Sequence, residues 1–129
     1  MHDSPRTQMK DFDAFSGTWL AAWNAHDLDR ILDLYEDDFV FSSPVLRKLQ
    51  PERGGSLAGK AAARAYWSRA FGPGVNLKFE HIATLAGVGS CVIHYRGLRG
   101  KLCAEYFRFG AEGRIAESHA HEWEAPSAA

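Results

Sequence analysis

The chain has little cysteine, no excess of charge of either sign and no long apolar run, and each shortage removes a class of function. Its two cysteines, Cys91 and Cys103, fit a reduced, cytosolic protein better than a disulfide framework, although both fall in candidate strands where a bridge is the alternative. A formal net charge of −1 and the absence of any basic run leave no electrostatic footprint for nucleic acid or an acidic membrane surface. No apolar stretch approaches the ~20 residues that span a bilayer, and the N-terminus lacks the charged and apolar regions of a signal peptide. No repeat, linker or low-complexity segment interrupts the 129 residues. The expectation is a single cytoplasmic domain over residues 10–124, with short tails at 1–9 and 125–129, that binds neither nucleic acid nor membrane.

What is abundant is aromatic. Eight Phe, four Trp and four Tyr supply ample material for one core. Between residues 10 and 25, Phe12, Phe15, Trp19 and Trp23 recur at three and four, one face of an amphipathic helix. A second helix is predicted over "AHDLDRILDLYEDDF", with Asp27 as N-cap and Leu28, Ile31, Leu32 and Tyr35 as the buried stripe. "FVFSS" reads as a short strand with Phe39, Phe41 and Ser43 on one side, stopped by Pro44; "RKLQPERGGS" has no clear assignment. "GKAAARAYWSRAF" is a third helix, ended by "GPG". The period then changes to two in "VNLKFE", "SCVIHYRG", "KLCAEYFRF" and "RIAESHAHEW", joined by tight turns. The predicted architecture is α+β: a curved, cone-shaped antiparallel sheet with three helices from the N-terminal half packed on its concave face, whose interior is the natural pocket.

The segments "WLAAWNAHDLDRILDLYEDDFVFSSPV", "GKAAARAYW" and "YRG…EYFRF…EGRI" resemble the nuclear-transport-factor-2-like superfamily with its cystatin-like roll, and within it the SnoaL-like cyclases and ketosteroid isomerases. The resemblance spans residues 10 to 124. It implies a small, largely apolar ligand, cofactor-independent chemistry and a homodimer formed through the outer sheet face. It does not choose among isomerase, cyclase, dehydratase and non-catalytic binding module. In the isomerases a carboxylate base precedes a Pro at the end of the first strand; here that position is Ser43. The phenolic donor of the first helix falls at Trp19, and the protonated acid of the penultimate strand at Glu105. The cyclases' acidic base on the last strand matches Ala120. Of these roles only that of Glu105 is retained.

The residues themselves single out Glu105 as well. It alternates with Cys103, Phe107 and Phe109, so a carboxylate among aromatics is expected to have a raised pKa and to act as proton donor or oxyanion holder. A purely structural alternative is that Glu105 accepts the Trp19 Nε1–H, or bonds a backbone group, inside the core. The expected pocket wall comprises Trp19, Trp23, Phe41, Ser43, Tyr66, Trp67, Ile93, Phe107, Ser118, Ala120 and Glu122. "SHAHEW" raises a harder question. Ile115 and Trp123 share the parity of His119 and His121, which marks the histidine face as buried, whereas the resemblance turns Ser118, Ala120 and Glu122 toward the cone. In the first register His121 is a catalytic partner for Glu105. In the second His94, His119 and Trp123 belong to an outer dimer surface. No metal site and no cofactor is expected.

Overall fold

The computed structural model describes residues 11–124. Helix α1, Phe12–Asn24, is capped by Asp11, whose side chain accepts the Ala14 N–H at 3.0 Å, and it buries Phe12, Phe15, Trp19 and Trp23. Asp27 caps α2, Leu28–Leu32, by accepting the Arg30 N–H at 3.1 Å. This helix stops three residues before Tyr35, the last member of its expected stripe. The Leu34 carbonyl accepts the Ile115 N–H at 2.9 Å, so the chain enters strand β1, Tyr35–Ser42, with Tyr35 already buried in the sheet. Tertiary pairing overrides the helical pattern here.

Pro44 ends that strand and begins a helix, because its fixed φ and missing N–H suit the first helical position. Ser43 Oγ accepts the N–H groups of Val45 and Leu46 at 3.1 and 3.4 Å and caps α3, Pro44–Leu49. The unassigned polar stretch is therefore α3, a 3₁₀ turn at Pro51–Arg53 and strand β2, Ser56–Ala58. Helix α4, Lys60–Trp67, runs into a second 3₁₀ turn, Ser68–Phe71. Strands β3 (Glu80–Ala86), β4 (Ser90–Arg96), β5 (Leu102–Phe109) and β6 (Ile115–Glu122) complete a six-stranded sheet in the order β2-β1-β6-β5-β4-β3. The α+β class holds, with four helices rather than three and one parallel pair, β1 with β6, in an otherwise antiparallel sheet. No helix among the described residues is long and apolar enough to cross a membrane.

Two local departures shape the interior. Residues 75–79 alternate as a strand should, with Leu77 buried and Asn76 and Lys78 exposed, yet they pair with no strand. Side chains hold them instead: Asn24 Nδ2 donates to the Phe79 carbonyl at 2.9 Å, Asn24 Oδ1 accepts the Phe79 N–H at 2.6 Å, and a His26 ring nitrogen meets the Leu77 carbonyl at 2.7 Å. The second departure is a β-bulge. Phe109 pairs with Ile115 but Arg108 pairs with Glu117, so Ala116 is an extra residue on β6. Ile115 and Ser118, three apart, consequently both face inward and are fully buried.

Cys91 pairs opposite Phe107 and Cys103 opposite Tyr95, so the cysteines sit about four rungs apart and no disulfide joins them. At ~3.4 Å per residue that separation excludes a bridge. The expected tails fall on residues 1–9 and 125–129, which lie outside the described residues.

The Asn24 clamp generates a test. Asn24→Ala should lower stability by roughly 1–2 kcal/mol and speed amide exchange at Phe79 while leaving Ile93 protected. Unchanged exchange at Phe79 would show that the segment is held some other way.

Candidate functional site

A cavity of about 310 Å³ opens between α1, α3, α4 and the concave face of the sheet. Trp19, Trp23, Phe41, Tyr66, Trp67, Phe79 and Tyr95 form most of its wall, and Glu105 is the acid in its interior. Glu105 is only 4% exposed. Tyr95 Oη donates to its Oε1 at 3.1 Å, and Ser118 Oγ donates to its Oε2 at 3.1 Å. The Tyr35 hydroxyl lies against Ser118 as well. Tyr35 in turn accepts Trp19 Nε1–H at 3.2 Å. The result is a connected row of polar groups, Trp19, Tyr35, Ser118 and Glu105, that ends at the carboxyl group.

Burial raises the Glu105 carboxyl from 4.5 to about 7, against the two hydroxyls that favour its ionised form. Burial also raises both phenols, Tyr35 and Tyr95, with a further push from the Glu105 charge, so both remain protonated donors. At neutral pH Glu105 is thus divided between acid and base, the condition that general acid/base chemistry favours.

Most of the expected wall is present: Trp19, Trp23, Phe41, Ser43, Tyr66, Trp67, Ala120 and Glu122 line the cavity. Ile93, Phe107 and Ser118 do not. Each is fully buried behind the wall, Phe107 edge-on to Phe15 and Trp19 with ring centroids 5.1 and 5.2 Å apart. Ser43 spends its acceptor capacity on the α3 cap, and its hydroxyl lies against Tyr66. Trp19 Nε1 bonds Tyr35, not Glu105. The indole N–H of Trp23 is buried without a hydrogen-bond partner among the described residues. Tyr95 was legible from its alternation with Cys91 and Ile93, whereas Tyr35 was hidden by its assignment to a helix.

The bulge settles the histidines. It lets Ile115 face the core while His119 and His121 face out. His119 stacks on Tyr106 at 6.0 Å, with Nδ1 2.7 Å from Ser42 Oγ and Nε2 3.0 Å from Glu117 Oε1. His121 is exposed at the rim, touching both the cavity mouth and an outer depression, and its Nδ1–H donates to the His119 carbonyl at 2.9 Å. It makes no hydrogen bond to Glu105; Tyr95 and Ser118 are that group's partners. His94 also faces outward, in one row with Ala104 and His121. No three His, Cys, Asp or Glu side chains among the described residues are grouped to hold a metal ion.

The raised carboxyl has a thermodynamic signature. Between its unfolded value of 4.5 and its folded value of about 7, the unfolded chain ionises while the folded one stays protonated, so the folded state binds more protons. Stability should therefore fall by roughly 3 kcal/mol across that window as pH rises, then level off. Urea unfolding at pH 5 and pH 8 should show this loss in the wild type and lose most of it in Glu105→Gln. Equal slopes in the two proteins would remove Glu105 as its source.

The sequence profile of the SnoaL-like domain matches residues 17–118. A SnoaL-like protein of unknown function from Burkholderia thailandensis superposes with a TM-score of 0.85 at 45% identity, over 90% of this chain and 98% of the other. A protein from Kribbella flavida assigned to the ketosteroid isomerases superposes with a TM-score of 0.72 at 13% identity, over 95% and 85% of the two chains. SalBIII, an epoxide hydrolase/cyclase-like enzyme of pyran-ring formation in salinomycin, does so at 0.65 and 15% identity, over 86% and 89%. No functionally curated protein matches significantly. The two distant structures share the fold; the profile and the 45% identical relative show that this chain belongs to the SnoaL-like domain family.

Proposed function

We propose that the cone binds a small, largely apolar carbonyl compound and that Glu105 performs cofactor-independent acid/base chemistry on it, as an isomerase, cyclase or dehydratase would. The observation that carries this reading is a cavity-lining carboxyl group raised to about 7 and held by two hydroxyl donors inside an aromatic wall. Ionised, Glu105 removes a proton from the carbon beside the carbonyl. Protonated, it returns that proton or donates to the developing oxyanion, while Tyr95 and Ser118 keep its orientation. The fold neighbours of isomerase and cyclase type support the same class of reaction.

A non-catalytic binding module is favoured by one specific observation: the hydrogen-bond partners of Glu105 are a phenol and a serine, with no imidazole, amine or second carboxylate among them. Solvent-deuterium exchange at the α-carbon of bound ketones separates the two readings. Wild type should exchange α-protons at a rate that rises through pH ~7, and Glu105→Gln should lose about 10²-fold or more. Ligand binding without exchange would leave only the module.

The proposed assembly is a homodimer through the outer sheet face in the His94, His119 and Trp123 region. Supporting it, Leu85, Val92, Tyr106 and His119 form one row across the strands, Leu85 and Trp123 are 56% and 60% exposed, and a depression of about 560 Å³ lies over Val92, Ala104, Tyr106, His119 and His121. The reduced state of Cys91 and Cys103 supports a reducing, cytoplasmic setting. Sedimentation at micromolar concentration should give a dimer for wild type and a folded monomer for Val92→Arg. A monomeric wild type would exclude this interface.

A further inference from the structure

The mouth of the cone differs from its interior in charge. Beyond the aromatic wall come three exposed apolar side chains on two elements, Val45 and Leu49 of α3 and Leu98 of the β4–β5 turn. Past that lip the charged groups are mostly cationic. Arg69, on the 3₁₀ turn after α4, lines the cavity itself. Ser43 and Ala120 line both this cavity and an adjoining groove of about 510 Å³, whose wall carries Arg47 and Lys48. Gly55 is buried with φ +86°, and a β-carbon there would lie 3.2 Å from Arg47 Cβ, so the absence of a side chain lets the Arg47 stem pack on the backbone beside the groove.

Carboxylates offset this charge only in part. Glu122 is at the mouth but is bound to Lys101 at 3.3 Å, and Glu124 is in the groove wall. None of the side chains of Arg47, Lys48 and Arg69 makes a hydrogen bond or ion pair among the described residues. A neutral apolar ligand has no use for three unengaged cations beside its entrance, whereas a ligand with an acidic end does.

From this arrangement we infer that the ligand is an amphipathic oxo acid: a carbonyl or hydroxyl oxygen directed to Glu105, an apolar body in the aromatic cone, and an anionic group, carboxylate or phosphate, held at the mouth by Arg69 with Arg47 and Lys48 behind it. The inference rests on the proposal that the cone is a ligand site and adds the ligand's charge. Arg69, Arg47 and Lys48 are specificity residues that touch the end of the ligand remote from the chemistry.

The probes are ω-carboxylate ketones with phenyl, cyclohexyl and naphthyl bodies, such as 5-oxo-5-phenylpentanoate, each paired with its neutral primary amide and its phosphonate. Quenching of the cavity tryptophans reports binding. The carboxylates should bind wild type at least about fivefold tighter than the amides at low salt, and added salt should weaken the acids alone. In Arg69→Gln and in Arg47→Gln/Lys48→Gln the ratio should fall toward one, chiefly through weaker binding of the acids. A phosphonate preferred to the carboxylate assigns the phosphate class, and the reverse assigns the carboxylate class. Amides that bind as tightly as acids, or a preference that survives removal of all three cations, would overturn the anionic end and leave the cone as a ligand site. If no member of the panel quenches at millimolar concentration, both the ligand-site proposal and this inference fall.

Discussion

The arrangement of this molecule depends on one carboxyl group enclosed by aromatic rings. A carboxylate is expensive to remove from water, and here the cost is met by two hydroxyl donors and by partial protonation rather than by a cation. Tyr95 supplies one donor from the neighbouring strand β4, at the cross-strand position beside Ile93 and Glu105. Ser118 supplies the other from β6, backed by Tyr35 and Trp19 on two further elements. Helix α1, the start of β1 and three strands are thereby tied to one titratable group. Its charge state is a property of the whole interior, not of a local pair.

The rest of the cone keeps that group out of bulk water while leaving a way in. Trp19 and Trp23 come from α1, Trp67 from α4 and Phe79 from the clamped extended segment; Trp19 stacks on Phe79, and the other pairs meet edge-on or tilted. Offset-stacked and edge-to-face arrangements are the ones aromatic rings prefer, so the wall holds its own shape around the cavity. Stability and access are set by the same side chains, so cavity shape cannot be altered without altering the core.

Much of this was legible from residue order. The three-and-four spacing of Phe12, Phe15, Trp19 and Trp23 placed α1, and the alternation of Cys103, Glu105 and Phe107 placed the acid inside. Local signals failed where partners distant in sequence decide. Tyr35 continues a helical stripe on paper, but pairing with Ile115 draws it into the sheet. Residues 75–79 have a strand's alternation, but their backbone groups go to Asn24 and His26, which no pattern of period two announces. Ser43 reads as a strand end before Pro44, with a ligand contact as the alternative, until α3 is seen to begin there. Alternation counted forward from Ile115 turned the histidines inward because it crosses Ala116, which occupies no rung of its own.

That extra residue has an evolutionary corollary. Side-chain direction along a strand is a two-valued property, so a one-residue insertion or deletion acts on every position beyond it at once. A bulge residue is the exception, because it holds no rung. Were Ala116 lost, Ile115 opposite Phe109 and Glu117 opposite Arg108 would become ordinary successive rungs, and Ser118, Ala120 and Glu122 would keep their direction. The bulge is thus slack in the last strand: a single deletion there straightens β6 and leaves the serine against Glu105 and the histidines outside. Length can vary at this point of the scaffold without exchanging the chemistry of the cone.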